Sequence, residues 1–132
     1  MWFKKKFQKP EMKQTPFGEF AKKNGMWEAF IEVEDPEFED GEIRVAVADV
    51  QGEPNPQLLS FIPYIIANLP TLEQTARKAV SKLTAEHYLE SVSDSNAPAD
   101  FSLDFSYSEG DWCEAVCVGM KDGKVTDWYS GD

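Results

Sequence analysis

The chain has 132 residues, 42% of them hydrophobic, which is enough for one domain with a core of its own. Its 24 acidic side chains outnumber 13 lysines and arginines, so the formal net charge is −11. This composition excludes a disordered chain, and it argues against nucleic acid as a partner because an acidic body repels phosphates.

The charge is divided unevenly along the chain. Residues 1–24 hold seven lysines and two glutamates, whereas the stretch from Glu28 to Glu42 holds eight acids and no base. We predict a basic leader over residues 1–14 and a single domain over 15–132. Residues 1–9 also have the composition for weak contact with an anionic membrane surface. The longest apolar run, 58–69, is too short to span a bilayer.

The first predicted elements form an antiparallel meander. Asn24-Gly25 predicts a type I′ hairpin turn, since both residues accept positive φ. Residues 26–33 then alternate, with apolar side chains on one face and Glu28, Phe30 and Glu32 on the other. In residues 42–48 the inward positions are Ile43, Val45 and Val47, and the outward positions are Glu42, Arg44, Ala46 and Ala48. The acidic residues therefore occupy the outer face of these strands and the turn between them.

A first helix is predicted after the meander. Asn55 is a suitable N-cap for a helix whose first residue is Pro56. An apolar stripe over residues 58–69 marks the buried face of this helix. Pro63 is expected to kink or restart it, and Pro70 is expected to end it.

A second helix is predicted to start directly afterwards. Thr71 and Gln74 match a capping box, and the apolar spacing carries the helix to about Leu89. Residues 91–99 are small and polar and predict a loop.

The last third of the sequence returns to strands. Residues 101–107 alternate, residues 112–120 are apolar on both faces apart from Glu114, and Asp122-Gly123 predicts a second hairpin turn. The fold class predicted is therefore α+β. It consists of an antiparallel sheet of about six strands, in the order βββ-αα-βββ, with two helices packed on one face.

The acidic face is the candidate partner-binding site. Outward glutamates would raise the association rate of a basic protein and make its binding depend on salt. The predicted site consists of Glu28, Glu32, Glu34, Glu37, Glu39 and Glu42.

The acidic turn does not match a known calcium loop. Asp35, Glu37 and Glu39 stand at the first three ligand positions of an EF-hand, but Asp40 and Ala46 replace its glycine and final glutamate. The sequence therefore predicts no metal site, although weak cation binding within the 35–42 turn stays open.

The sequence offers no catalytic motif, so no catalytic residue and no cofactor are predicted. Cys113 and Cys117 lie four apart in one predicted strand, about 13 Å between Cα atoms, which is too far for a disulfide. Reduced thiols and the absence of a signal peptide predict a cytoplasmic protein. The alternative function is a small metal-assisted enzyme that uses acidic residues and His87, the one histidine.

The layout resembles a group of small acidic bacterial domains of unknown function, some of immunity-protein type, which are encoded beside secreted toxins. The likeness covers residues 15–131 and depends on turns and core aromatics rather than on catalytic residues. It is carried by Phe17-Gly18-Glu19-Phe20, Trp27, Ile43-Arg44-Val45, Glu109-Gly110-Asp111-Trp112, Asp122-Gly123-Lys124-Val125 and Gly131. The resemblance implies an α+β fold, the bacterial cytoplasm and protein binding. The function predicted is a non-catalytic protein-binding domain, of immunity type, for a basic partner.

Overall fold

The computed structural model describes residues 10–33 and 41–131. Nine strands and one helix occur in these ranges. The strands are β1 (Met12–Thr15), β2 (Gly18–Lys23), β3 (Met26–Glu32), β4 (Glu42–Val50), β5 (Glu53–Pro54), β6 (Tyr88–Ser93), β7 (Phe101–Glu109), β8 (Trp112–Lys121) and β9 (Lys124–Gly131). The helix, α1, is Pro56–Ala79.

The strands form one mixed sheet in the order β1-β2-β3-β4-β6-β7-β8-β9, with β5 paired to β4. Two antiparallel meanders, β1 to β4 and β6 to β9, meet at a single parallel ladder between β4 and β6. The helix α1 lies between β4 and β6 in the chain, because two parallel neighbours need a long crossover connection. The termini of the described chain therefore lie on opposite edge strands, β1 and β9.

The predicted α+β class, with about six antiparallel strands in the order βββ-αα-βββ and two helices, is wrong. The described residues form a mostly β structure with nine strands, one parallel ladder and one helix. The sequence does not predict strands β1, β5 and β6. The two predicted helices form a single helix in the structure, which ends at Ala79.

The helix continues through both prolines because they lie on its solvent side. Pro63 and Pro70 are exposed and seven residues apart, which is nearly two full turns and places them on the same stripe. Each proline leaves one carbonyl of the preceding turn without its helical donor, and on the outer side water can satisfy it. Thr71, the predicted cap, is inside the helix, and its carbonyl accepts the Thr75 hydroxyl at 2.9 Å.

The predicted second helix does not extend to Leu89. The helix stops at Ala79, and the extended Val80 (φ −112°, ψ 100°) starts the connection to β6. A register shift between Leu89 and Ser91 interrupts the alternation of β6. Because of this bulge, buried and outward side chains in residues 88–93 do not alternate regularly. The sequence therefore does not predict a strand there.

Both predicted hairpin turns are confirmed. Asn24 and Gly25 have φ of 54° and 78°, and Asp122 and Gly123 have φ of 53° and 75°. The predicted N-cap is also confirmed, since the Asn55 side chain accepts the Gln57 backbone N–H at 3.1 Å.

One face of the sheet and the inner face of α1 enclose the core. Trp27, at 0% exposure, is the largest fully buried side chain, and its indole N–H donates to Asp49 Oδ1 at 2.8 Å. Leu58, Ile62 and Ile65 of α1 belong to the same cluster. Burying a large apolar side chain contributes about 1.5–3 kcal/mol before the entropy of the ordered chain is counted.

The predicted leader, residues 1–14, is described only from residue 10 onward, and its part from Met12 forms β1. No helix in the described ranges is both long and apolar enough to cross a membrane.

Candidate functional site

We call the side of the sheet that faces away from α1 the open face. One row of directly opposed residues crosses six strands of this face. It begins and ends with exposed aromatic rings, Phe30 at 59% and Tyr129 at 68% exposure. In strand order the row is Phe30, Arg44, Ser91, Asp104, Cys117 and Tyr129.

Three of the predicted partner-binding glutamates lie together on the open face. Glu28 and Glu32 flank Phe30 on β3, and Glu42 is the first residue of β4. The other three, Glu34, Glu37 and Glu39, lie outside the described residues. Most of the 35–42 turn proposed for weak cation binding lies there too.

Glu32 and Glu42 are directly opposed across β3 and β4. Both are exposed, and neither takes part in an ion pair within the described residues. Directly opposed like charges destabilise an antiparallel pair. This end of the open face therefore carries negative charge that a cation from outside could neutralise.

Glu90 adds a third carboxyl beside this pair. The bulge in β6 sets Glu90 out of register, and its side chain accepts the Ser106 hydroxyl. Bulges often re-aim a side chain in this way. The result is a shallow groove of about 390 Å³, the acidic groove, lined by Phe30, Glu42, Arg44 and Glu90.

Arg44 is already engaged by a different glutamate. Its Nε donates to Glu28 Oε2 at 2.7 Å, and its Nη2 lies 2.7 Å from the same oxygen. Arg44 therefore neutralises Glu28 rather than the opposed pair of Glu32 and Glu42. Among the three predicted partner-binding residues that the structure describes, Glu28 is the one whose charge is offset within the sheet.

A cluster of hydroxyl groups occupies the centre of the open face. The Asp104 carboxylate accepts Ser93 Oγ at 2.7 Å and Ser91 Oγ at 3.1 Å on one oxygen, and Ser102 Oγ at 2.7 Å on the other. Ser91 and Ser102 are each 5% exposed. Because the carboxylate is satisfied by these donors, the cluster is suited to fixing the register of β6 and β7 rather than to binding a ligand.

The two cysteines are free thiols on the open face. Burial, and then the negative charge of Asp104, raise the pKa of the Cys117 thiol to about 11. At neutral pH this thiol is protonated and is a poor nucleophile. Its hydrogen bond raises the pKa of the neighbouring Tyr129 hydroxyl as well.

His87 lies on the other side of the sheet, away from the acidic groove, and both of its ring nitrogens have partners. Nδ1 accepts the backbone N–H of Thr84 at 3.1 Å, and Nε2 lies 2.7 Å from Glu114 Oε1. A backbone N–H can only donate, so Nε2 carries the hydrogen that is given to Glu114. Within the described residues, no group of three or more histidine, cysteine, aspartate or glutamate side chains is arranged to hold a metal ion.

Sequence reasoning missed two members of the acidic groove. The alternation of β3 does place Phe30 outward, but an outward phenylalanine was not recognised as a possible contact residue. The sequence does not indicate Glu90 as a groove residue, because it predicts a helix end and a loop for residues 88–93.

Comparison with known proteins gave no match to a protein-family model, to a curated protein or to a solved structure.

Proposed function

We propose that this chain is a non-catalytic protein-binding domain that receives a basic partner on the open face of its sheet. The observation that carries the proposal is Phe30, which is 59% exposed and lies in a groove bordered by two carboxylates, Glu42 and Glu90. Arg44 lines the same groove, but its charge is offset by Glu28. An exposed aromatic ring with a polar rim is typical of a contact centre.

The sign of the charge argues for a basic protein. The net charge of −11 makes a second copy of this chain an unfavourable occupant, and it disfavours nucleic acid as well. A partner cation near Glu32 and Glu42 would remove the repulsion between them. Charge complementarity of this kind increases the association rate and is weakened by salt. A basic nuclease held by an immunity-type protein, in the bacterial cytoplasm, would fit this chemistry.

Photo-crosslinking at Phe30 tests the proposal. Benzoylphenylalanine replaces Phe30 in one variant and Tyr64 of α1, which is 41% exposed, in a matched control. Both variants are irradiated in lysate of the native host, and the adducts are identified by mass spectrometry. We expect a basic protein to be captured from position 30 and not from position 64.

Charge reversal decides whether the capture is specific. In the Phe30 variant, Glu32→Lys combined with Glu42→Lys should reduce the adduct by about tenfold or more at low salt. Glu53→Lys on β5, a residue that does not line the acidic groove, should leave it unchanged. Equal capture at positions 30 and 64, or capture that is insensitive to the reversal, would contradict the proposal.

A further inference from the structure

The connection between α1 and β6, residues 80–87, is held by a buried histidine that the proposed partner surface does not use. His87 and Glu114 are 5% and 6% exposed, and their side chains meet at 2.7 Å. On the other side of the ring, the backbone N–H and the hydroxyl of Thr84 both lie 3.1 Å from Nδ1. The imidazole therefore joins the connection to β8.

Each element that packs against the His87 ring contributes a charged or titratable group. Lys82 of the connection lies 2.9 Å from Glu114 Oε2, and Arg77 of α1 donates to the His87 carbonyl at 2.7 Å. Tyr107 of β7 stacks on the imidazole with ring centres 5.5 Å apart. Glu86 is exposed on the same turn, and its backbone N–H donates to Thr84 Oγ1 at 3.3 Å.

We propose that His87 is a proton-operated latch on the 80–87 connection. A backbone N–H that donates to Nδ1 can do so only while Nδ1 is unprotonated. When Nδ1 takes a proton from water, two N–H groups face each other and the hydrogen bond from Thr84 is lost. Imidazole is the side chain whose ordinary titration range lies between about pH 5 and 8.

The surroundings can accept the protonated ring. Hydrogen bonds from Lys82 and from His87 lower the pKa of Glu114, so its carboxylate stays charged in mild acid. Thr84 Oγ1 can turn from donor to acceptor and receive the new hydrogen on Nδ1. Acidification therefore releases the Thr84 backbone N–H and loosens the connection, while the ring stays paired with Glu114.

Nuclear magnetic resonance of the full chain tests the latch. At pH 7.5 the ring nitrogen shifts of His87 should report hydrogen on Nε2 and none on Nδ1. Between pH 7.5 and pH 5 the amide protection factor of Thr84, corrected for intrinsic exchange, should fall by about fivefold, as expected for one hydrogen bond. Amides in the middle of β7 should keep their protection.

Glu114→Gln removes the charge that holds the protonated ring, so the loss of Thr84 protection should move to lower pH. Glu86→Gln is the matched control on the same turn and should move it much less, because Glu86 is exposed and its charge is screened by solvent. The latch is disproved if Nδ1 carries the hydrogen at pH 7.5, if Thr84 keeps its protection at pH 5, or if the loss extends through the sheet. If Glu114→Gln does not fold, the wild-type ring shifts decide alone.

Discussion

Glu32 and Glu42 face each other across the β3–β4 ladder, two carboxylates of like charge in directly opposed positions. A neutral pair would make a more stable ladder at this point. The described residues leave this repulsion in place, and under the proposed function a basic partner would relieve it.

Glu42→Gln should therefore stabilise the free protein and weaken the proposed complex. We expect the free energy of unfolding in urea to rise by about 0.2–1 kcal/mol at low salt, since one opposed charge is removed. Glu19→Gln on β2 is the control, because Glu19 is opposed by the neutral Gln14. Equal effects of the two substitutions on stability would show that the opposition of Glu32 and Glu42 has no energetic consequence.

Pro63→Ala should stabilise the protein, because α1 is continuous through this residue. A proline inside a helix costs about 3 kcal/mol, and roughly 0.4–1 kcal/mol of that is returned because alanine makes the unfolded chain more flexible. We expect a gain of about 2 kcal/mol in chemical denaturation. Pro56→Ala, at the first turn where proline fits, should give no gain. A loss of stability at position 63 would indicate that the proline itself is needed for packing.

Glu114 should make the protein sensitive to acid. The hydrogen bond from Lys82, followed by that from His87, lowers the pKa of Glu114 below 4.5 in the folded state. Because the pKa of Glu114 is lower in the folded state than in the unfolded chain, its contribution to stability is complete above the unfolded-state pKa. That contribution is lost as the pH falls through the folded-state pKa. The difference in unfolding free energy between wild type and Glu114→Gln should therefore be larger between pH 7 and pH 5 than at pH 3.

The destabilisation caused by Lys82→Met should also become smaller in acid, because this substitution removes the cation that pairs with the Glu114 carboxylate. A stability difference that stays constant from pH 7 to pH 3 in both variants would mean that the pair does not contribute through its charge.

Gly119→Ala should disturb the β8–β9 ladder. A methyl group at this position would lie 2.9 Å from both the Ala99 Cβ and the Thr126 Oγ1, closer than atoms of this kind approach. Forcing them apart at the bulge costs about 1–3 kcal/mol, which calorimetry would record as a lower melting temperature. Gly131→Ala meets nothing within 4 Å and is the control. Similar melting temperatures for both variants would contradict the close approach.

The local features of the fold could be predicted where a single residue type decides the geometry. Asn24-Gly25 and Asp122-Gly123 specify their turns through positive φ, and Asn55 caps α1 through its own side chain. The continuity of α1 could not be predicted, because the cost of Pro63 depends on whether its carbonyl partner faces water, which is a property of the packed structure.

The candidate site was predictable only in part, for a similar reason. Alternation along β3 and β4 indicates that Glu28, Glu32 and Glu42 point outward, but it says nothing about which cation each one meets. That Arg44 pairs with Glu28 and leaves Glu42 unneutralised depends on the register between strands. Glu90 can be placed beside Glu42 only when the position of β6 is known. The bulge in β6 prevents this strand from being predicted from the sequence.

The parallel ladder between β4 and β6 has a consequence for how the chain folds. Each antiparallel meander is built from contacts between near neighbours in sequence and can form quickly by itself. The parallel ladder consists of three opposed pairs, Arg44 with Ser91, Val45 with Val92 and Ala46 with Ser93, whose members are 47 residues apart. Closing so long a loop is slow, so this join should be completed last, and destabilising it should accelerate unfolding more than it slows folding.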